Sequence, residues 1–241
     1  MRRRGGAPTT GPVTAIGDAP DPSPGRGGHS AAKSQMGGGD FTAGALQQSM
    51  DDLFAFPLVP GLAYADGFLT SEEERALIAA IDHEALAPFR FHGWTGKRLT
   101  ASFGWHYDFD TAAFAPADPI PAALLPVRAR AAAFAGLDPD ALVQALLIRY
   151  DPGAGIGWHR DRPVFEHVVG LSLGAEAVLR LRRRRAGGGF ARASQPLAPR
   201  SIYHLTGEVR HGWEHSIVPM ETTRWSITFR SLSQRGRAIG G

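Results

Sequence analysis

The 241-residue chain carries 26 lysines and arginines against 23 acidic residues, a formal charge of +3, and no cysteine. The length suits one full-sized domain with a tail, and the lack of thiols excludes disulfides and thiolate metal sites. No run approaches the roughly 18 apolar residues of a membrane span, so the expectation is a cytoplasmic monomer without a membrane partner. The first 50 residues hold five basic and three acidic groups, which leaves 21 against 20 for the remainder. Net charge therefore argues little for nucleic acid, and local clusters must carry that case.

Residues 1–52 are dominated by Gly, Ala, Pro, Ser and Thr without a sustained apolar period, and read as a disordered basic tail. Arg2-Arg3-Arg4 is followed by no apolar segment, which argues against a targeting peptide. The folded domain is expected over 53–233, with 234–241 a flexible C-terminus. Leu58 to Phe68 suggests short strands broken by Pro60-Gly61 and Gly67. Ser71-Glu72-Glu73-Glu74 reads as a capping box opening a helix, and Leu77, Ile78 and Ile81 form its apolar stripe. His92 to Arg98 and Ser102 to Tyr107 interleave aromatics, glycines and cations. Two readings stand: a β-hairpin whose aromatics pack on the core, or a lid that stacks a flat ligand and meets phosphate with Lys97 and Arg98. Ile120 to Phe134 reads as a second helix with Pro121 in its first turn and Gly136 at its end.

Val143 to Tyr150 is an aliphatic, buried strand, and Pro152, Gly153, Gly155 and Gly157 turn the chain after it. Short strands follow at Val168–Leu173, Ala177–Leu181, Ile202–Leu205, Glu214–Val218 and Trp225–Phe229. Their succession predicts a β-sandwich or jelly roll with the earlier helices on one side. Arg180 and Arg182 to Arg185 precede Gly187-Gly188-Gly189, a basic hairpin that is either a solvated face or a grip on a phosphate backbone.

His159 and Asp161 lie at i, i+2, so an extended segment sends both side chains to one face. Two histidines and a carboxylate are the ligand set of non-haem Fe(II) oxygenases. The third ligand is read as His215, because Glu214 to Val218 has strand phase. The rival, His211, would share a zinc site with His215 only on one helix, and Gly212 argues against that helix. His167, His204 and His211 are read as satisfied core histidines. In a strand from Arg224 to Arg230, Arg224, Ser226, Thr228 and Arg230 share one side while Trp225, Ile227 and Phe229 share the other. If the arginine side is buried, its guanidiniums need carboxylate partners. Asp161 supplies one, and a dicarboxylate ligand supplies the other. A solvent-exposed face is the alternative.

His159-x-Asp161, His215 in a Trp-x-His-x-Ile setting and Arg224-x-Ser-x-Thr-Phe-Arg230 together resemble the AlkB-type family of Fe(II)/2-oxoglutarate dioxygenases. Arg149-Tyr150-x-Pro-Gly and Thr206-Gly207-Glu208 extend the likeness, which runs from about Leu58 to Leu232. The resemblance implies an α+β, mainly β fold: a double-stranded β-helix, or jelly roll, with supporting N-terminal helices. It implies Fe(II) on His159, Asp161 and His215, and 2-oxoglutarate on Arg224 with Tyr150 and Ser226. Arg230 would sit near the oxalyl end and brace Asp161. Trp94, Lys97, Arg98, Trp105 and Tyr107 would form the substrate lid. One departure is Ile148, where the family often has an asparagine that donates to the oxalyl carboxylate. A lost charge-assisted hydrogen bond weakens cosubstrate binding by roughly 1.5–3 kcal/mol unless replaced. The implied activity is oxidative dealkylation of N-alkylated bases in DNA or RNA, with base flipping and release of succinate, CO2 and formaldehyde. The other readings are a hydroxylase or demethylase of a protein or small molecule, and a catalytically silent nucleic-acid-binding module.

Overall fold

The alternating phase of the C-terminal strands is resolved by two antiparallel sheets laid face to face. The structure, a computed structural model, describes residues 59–91, 94–108 and 113–240. The tail expected over 1–52 lies outside the described residues. The larger sheet contains β1 (Leu62–Ala65), β2 (Ala87–Phe91), β3 (Trp94–Phe103), β6 (Leu142–Tyr150), β8 (Phe165–Gly174), β11 (Ser201–Leu205) and β13 (Arg224–Leu232), in the order β1-β11-β8-β13-β6-β3-β2. The smaller contains β7 (Ile156–His159), β9 (Ala177–Arg184), β10 (Phe190–Leu197) and β12 (Glu214–Ile217), in the order β10-β9-β12-β7. A separate ribbon pairs β4 (Trp105–Tyr107) with β5 (Phe114–Pro116). This is the expected jelly roll.

Helices α1 (Ser71–His83) and α2 (Leu125–Phe134) cover the outer face of the larger sheet. Leu77 and Ile81 of α1 and Val127 and Ala131 of α2 bury against Leu147, Leu171, Ile227 and Phe229. Helix α1 is capped one residue earlier than expected. Thr70 Oγ1 accepts from the Glu73 amide, and the Glu73 carboxylate accepts from the Thr70 amide at 2.8 Å. The run of three glutamates offers an acid at N3 in either register, so the sequence alone does not choose. Ser71 and Glu74 are used tertiarily instead, accepting from Arg200 and from the Gly174 amide. The second helix also starts late. A 3-10 turn at Ala122–Leu124 precedes α2, so the proline in the first helical turn is Pro126 and not Pro121.

Two further segments differ from expectation. Gly207–Gly212 forms a short helix, α3, in a stretch whose pattern did not suggest one, because six residues are too few for a helical period to show. Gln234–Gly240, read as flexible, forms helix α4. Ser233 anchors it by accepting from the Gly236 amide and donating to the Pro163 carbonyl at 2.7 Å. Among the described residues no helix is long and apolar enough to cross a membrane.

Between the sheets, the inward face of the larger one is polar. Thr100, Ile148, Ser226 and Ser172 sit side by side across β3, β6, β13 and β8. Arg224 neighbours Tyr150, and Arg230 neighbours Gln144. Apolar clusters flank this strip, one around Leu179, Leu181 and Tyr203 and one around Ile148, Ala154 and Ile217. The strip is therefore walled from water while its polar groups point at the smaller sheet.

Candidate active site

Antiparallel pairing of β7 with β12 sets His159 directly opposite His215. Their rings lie 4.2 Å apart. Asp161 follows two residues after His159, and one ligand atom from each of the three residues lies within 4.8 Å of the others. It is the one such group found among the described residues. His159 Nδ1 donates to the Gly157 carbonyl at 2.9 Å, since a carbonyl can only accept, and this leaves the Nε2 lone pair free on the Asp161 side.

The electrostatics suit a divalent cation. Burial pushes His215 down to about 3, helped by the adjacent His159 ring and opposed by Asp161. Burial also lowers His159. Burial alone would raise the Asp161 carboxyl, but Arg230 and then the two histidines outweigh it and hold it well below the ordinary carboxylate range. Two neutral imidazoles and one carboxylate are thus ready as ligands near neutral pH, without the proton release that a charged histidine would require. That donor set fits Fe(II) in a facial triad with open positions.

The arginine face of β13 is buried, so the solvent-exposed alternative is excluded. Arg224 is 1% exposed, Ser226 3%, Thr228 5% and Arg230 9%. Arg230 donates to both oxygens of Asp161 and, at 3.0 Å, to Gln144 Oε1. Arg224 donates from Nε to Ser172 Oγ at 3.2 Å, and its guanidinium lies 5.2 Å from the centre of the Tyr150 ring. Its Nη1 is buried without a hydrogen-bond partner among the described residues. An unsatisfied buried guanidinium nitrogen is costly, and a ligand carboxylate would satisfy it bidentately. The residues present therefore fit 2-oxoglutarate, with Tyr150 and Ser226 lining the same strip.

The expected lid is only partly brought together. Lys97 is exposed, but Arg98 is 8% exposed, with its guanidinium 3.8 Å above the Phe89 ring. This corrects the expectation of an outward phosphate contact. Leu99 pairs with Arg149, so Arg98 stands beside Tyr150 and turns inward, where its charge reaches His159. Burial lowers its proton affinity. Trp105 stacks on Phe114 with ring centres 4.8 Å apart, and Arg162 lies 4.4 Å above the Tyr107 ring. Trp94 lies in β3, and its side chain falls outside those described.

Several groups at the site were not anticipated. Gln144 bridges Arg230 to the Trp105 carbonyl, to which it donates at 2.9 Å. Its polarity in an apolar strand, six residues before Tyr150 and in the same phase, was a readable signal. Tyr203 crosses β8 over Gly170, where a Cβ would lie 2.2 Å from its ring. Burial raises its phenol to about 12. A glycine inside a strand marks such a close approach. Arg210, on α3, donates from one nitrogen to the Arg162 and Phe165 carbonyls at 2.7 and 2.6 Å, bracing the loop after Asp161. No local pattern announces that contact.

The remaining histidines divide. His204 is buried and its Nε2 meets His167 Nδ1 at 3.0 Å, as a satisfied pair. His211 is not a core residue: it is half exposed and meets Glu166 at 2.8 Å. Helix α3 ends at Gly212 and Trp213 is extended, so no helix carries His211 and His215 together.

The profile described as the 2OG-Fe(II) oxygenase superfamily matches residues 61–234. The chain is 29% identical over 170 residues to the tRNA (carboxymethyluridine(34)-5-O)-methyltransferase alkbh8 of Xenopus tropicalis, a match covering 67% of this chain and 26% of that protein. It is 26% identical over 184 residues to the alkylated DNA repair protein ALKBH8 homolog of Arabidopsis thaliana, covering 66% of this chain and 51% of the relative. The chain thus spans about a quarter to a half of the length of these relatives. The solved structure of OsALKBH1 superposes with a TM-score of 0.57 at 15% identity, over 72% of this chain and 98% of that one, and so shares the fold. The chain belongs to the 2OG-Fe(II) oxygenase superfamily and is a dioxygenase that uses Fe(II) and 2-oxoglutarate.

Proposed function

We propose that this dioxygenase oxidatively demethylates N-alkylated bases in nucleic acid. The observation that carries the reading is Arg98, a buried guanidinium 3.8 Å from the centre of the Phe89 ring whose charge reaches His159. It gives the pocket a planar cation able to stack on a base or pair with its acceptor edge. The relatives add support, since one is named for tRNA and another for alkylated DNA repair. The methyl transfer in the first name belongs to a protein of which this chain matches 26%, and is not carried over.

When bound, Fe(II) and 2-oxoglutarate activate O2 for attack on a substrate C–H bond. The chain's part is to position and protect. His159 and His215 stay neutral, and Asp161 stays ionised against Arg230, so the ligand face is preorganised. Arg224 and Tyr150 would hold the far carboxylate of the cosubstrate. Arg98 and the β4–β5 ribbon form the wall nearest the substrate. A base must leave its stack to reach such a pocket, which favours single-stranded or damaged sites.

The test is incubation with Fe(II), 2-oxoglutarate and oligonucleotides containing 1-methyladenine or 3-methylcytosine, followed by mass spectrometry. The expected result is restored bases with matching amounts of formaldehyde and succinate. Succinate formation with every oligonucleotide unchanged would overturn the reading in favour of a protein or small-molecule substrate.

A further inference from the structure

The outer face of the smaller sheet points away from the metal ligands and carries a charge that the site does not use. Leu179 and Leu181 of β9 face inward, so Arg180, Arg182 and Arg184 face outward. Arg182 lies opposite Arg192 of β10, and Arg184 lies opposite Phe190. Two aromatic rings hold these guanidiniums in place. Trp158 of β7 lies 5.0 Å from Arg180 and 4.4 Å from Arg182. Phe190 lies 4.5, 5.2 and 5.8 Å from Arg182, Arg184 and Arg192. Stacking of this kind orders a long side chain in advance and leaves its N–H edges free to bind.

The face is poorly neutralised. Among its strand residues one carboxylate, Glu214, opposes the four arginines, and it is engaged by Arg182 at 2.6 Å. Arg180 is tied to Ser216 Oγ at 3.1 Å. Arg184 and Arg192, both exposed, make no ion pair with a carboxylate among the described residues. The near-neutral balance of the domain therefore conceals a local excess of about three positive charges on one face of this sheet. Edge strand β7 joins this surface to the site, with Trp158 on the outer face and His159, the next residue, on the inner one.

We infer that this arginine-aromatic face binds the phosphodiester backbone of a single-stranded nucleic acid, holding a chain whose target base enters the site past β7. The inference rests on the nucleic-acid reading above and adds a second anchoring surface to it. Fixed guanidinium planes suit phosphate oxygens, which accept two N–H donors at once. Contacts to backbone alone give no base preference, so the surface would raise affinity for long strands without choosing the lesion.

The experiment measures binding and turnover of methylated single strands, a trinucleotide and a long oligonucleotide, by wild type and by Arg184→Ala/Arg192→Ala at several salt concentrations. Both substituted side chains are exposed and outside the metal and cosubstrate pockets, so folding and turnover of the trinucleotide are expected to hold. The expected result is weaker binding of the long strand alone, with the slope of log affinity against log salt shallower by about 1.4, the value for two lost phosphate contacts. An unchanged slope and affinity in the double variant, with wild type still demethylating the strand, overturns the surface and leaves the proposed function standing. Wild type that neither binds nor demethylates any oligonucleotide overturns both. Binding of wild type to vesicles of acidic phospholipid, abolished in the variant while oligonucleotide binding is not, overturns the inference in favour of a membrane surface.

Discussion

Arg230 holds both carboxylate oxygens of Asp161, Nε donating to Oδ2 at 3.2 Å and Nη2 to Oδ1 at 3.4 Å. One side chain thereby keeps a buried candidate metal ligand ionised and fixes its orientation. Arg230→Met leaves that carboxylate without its main counter-charge. Breaking one partner of a buried pair costs about 3–5 kcal/mol. Chemical denaturation of metal-free protein is expected to show a loss of that order, together with weaker iron binding. Stability within 1 kcal/mol of wild type, on the scale of ~3 expected, would mean the pair is not the brace described.

Arg224 is the candidate cosubstrate anchor, because its buried Nη1 has no hydrogen-bond partner among the described residues. Arg224→Ala is expected to raise the KM for 2-oxoglutarate roughly 10–150-fold, the range of a lost hydrogen bond to a charged group. Arg98→Ala is expected to leave that KM within a few-fold of wild type. Equal effects from the two variants would move the cosubstrate toward Arg98.

Ile148 occupies the place where the family often has a donor, and it packs in an apolar cluster with Tyr150, Ala154 and Ile217. Its lateral neighbours are nonetheless Thr100 and Ser226. Ile148→Asn is expected to destabilise the free protein by about 1–3 kcal/mol, the cost of a buried amide, while lowering the KM for 2-oxoglutarate. Part of the lost stability should return when cosubstrate is added, which thermal melts would register.

His204 links stability to pH. Burial, and then the facing His167, depress it from 6.5 to about 4. Between those values the unfolded chain binds a proton that the folded chain refuses, so this contribution is present above about pH 6.5 and is lost as pH falls toward about 4. Denaturant midpoints are expected to fall across that window in wild type and to fall less in His204→Phe. Parallel pH profiles for the two proteins would assign the acid sensitivity elsewhere.

The parts of the site legible in the sequence are those governed by strand phase. Period two placed Arg224, Ser226, Thr228 and Arg230 on one face, and chose His215 over His211. The same rule applied to β3 separates outward Lys97 from inward Arg98, although the two cations are adjacent in sequence. Other features follow from long-range packing that no local pattern encodes. Arg210 reaches across from α3 to two carbonyls some 45 residues away in the chain. The capping of α1 was displaced because Glu73 and Glu74 both satisfy the motif, and tertiary partners for Ser71 and Glu74 decide between them.

The β4–β5 ribbon is expected to serve substrate and not cosubstrate. Trp105→Ala removes the stack on Phe114, and base–aromatic contacts are worth about 1–3 kcal/mol, or roughly 5–150-fold in affinity. The KM for a methylated oligonucleotide should rise within that range while the KM for 2-oxoglutarate stays constant. A rise in the second without the first would tie Trp105 to the cosubstrate through Gln144.

The central claim is that His159, Asp161 and His215 hold the iron, and an anaerobic Fe(II) titration of wild type, His215→Ala and His211→Ala tests it most directly. Wild type and His211→Ala are expected to bind one iron per chain, because His211 faces Glu166 at the protein surface. His215→Ala is expected to bind none at the same concentrations, having lost the ligand opposite His159. Retention of iron by His215→Ala, or equal loss in both variants, would contradict the account.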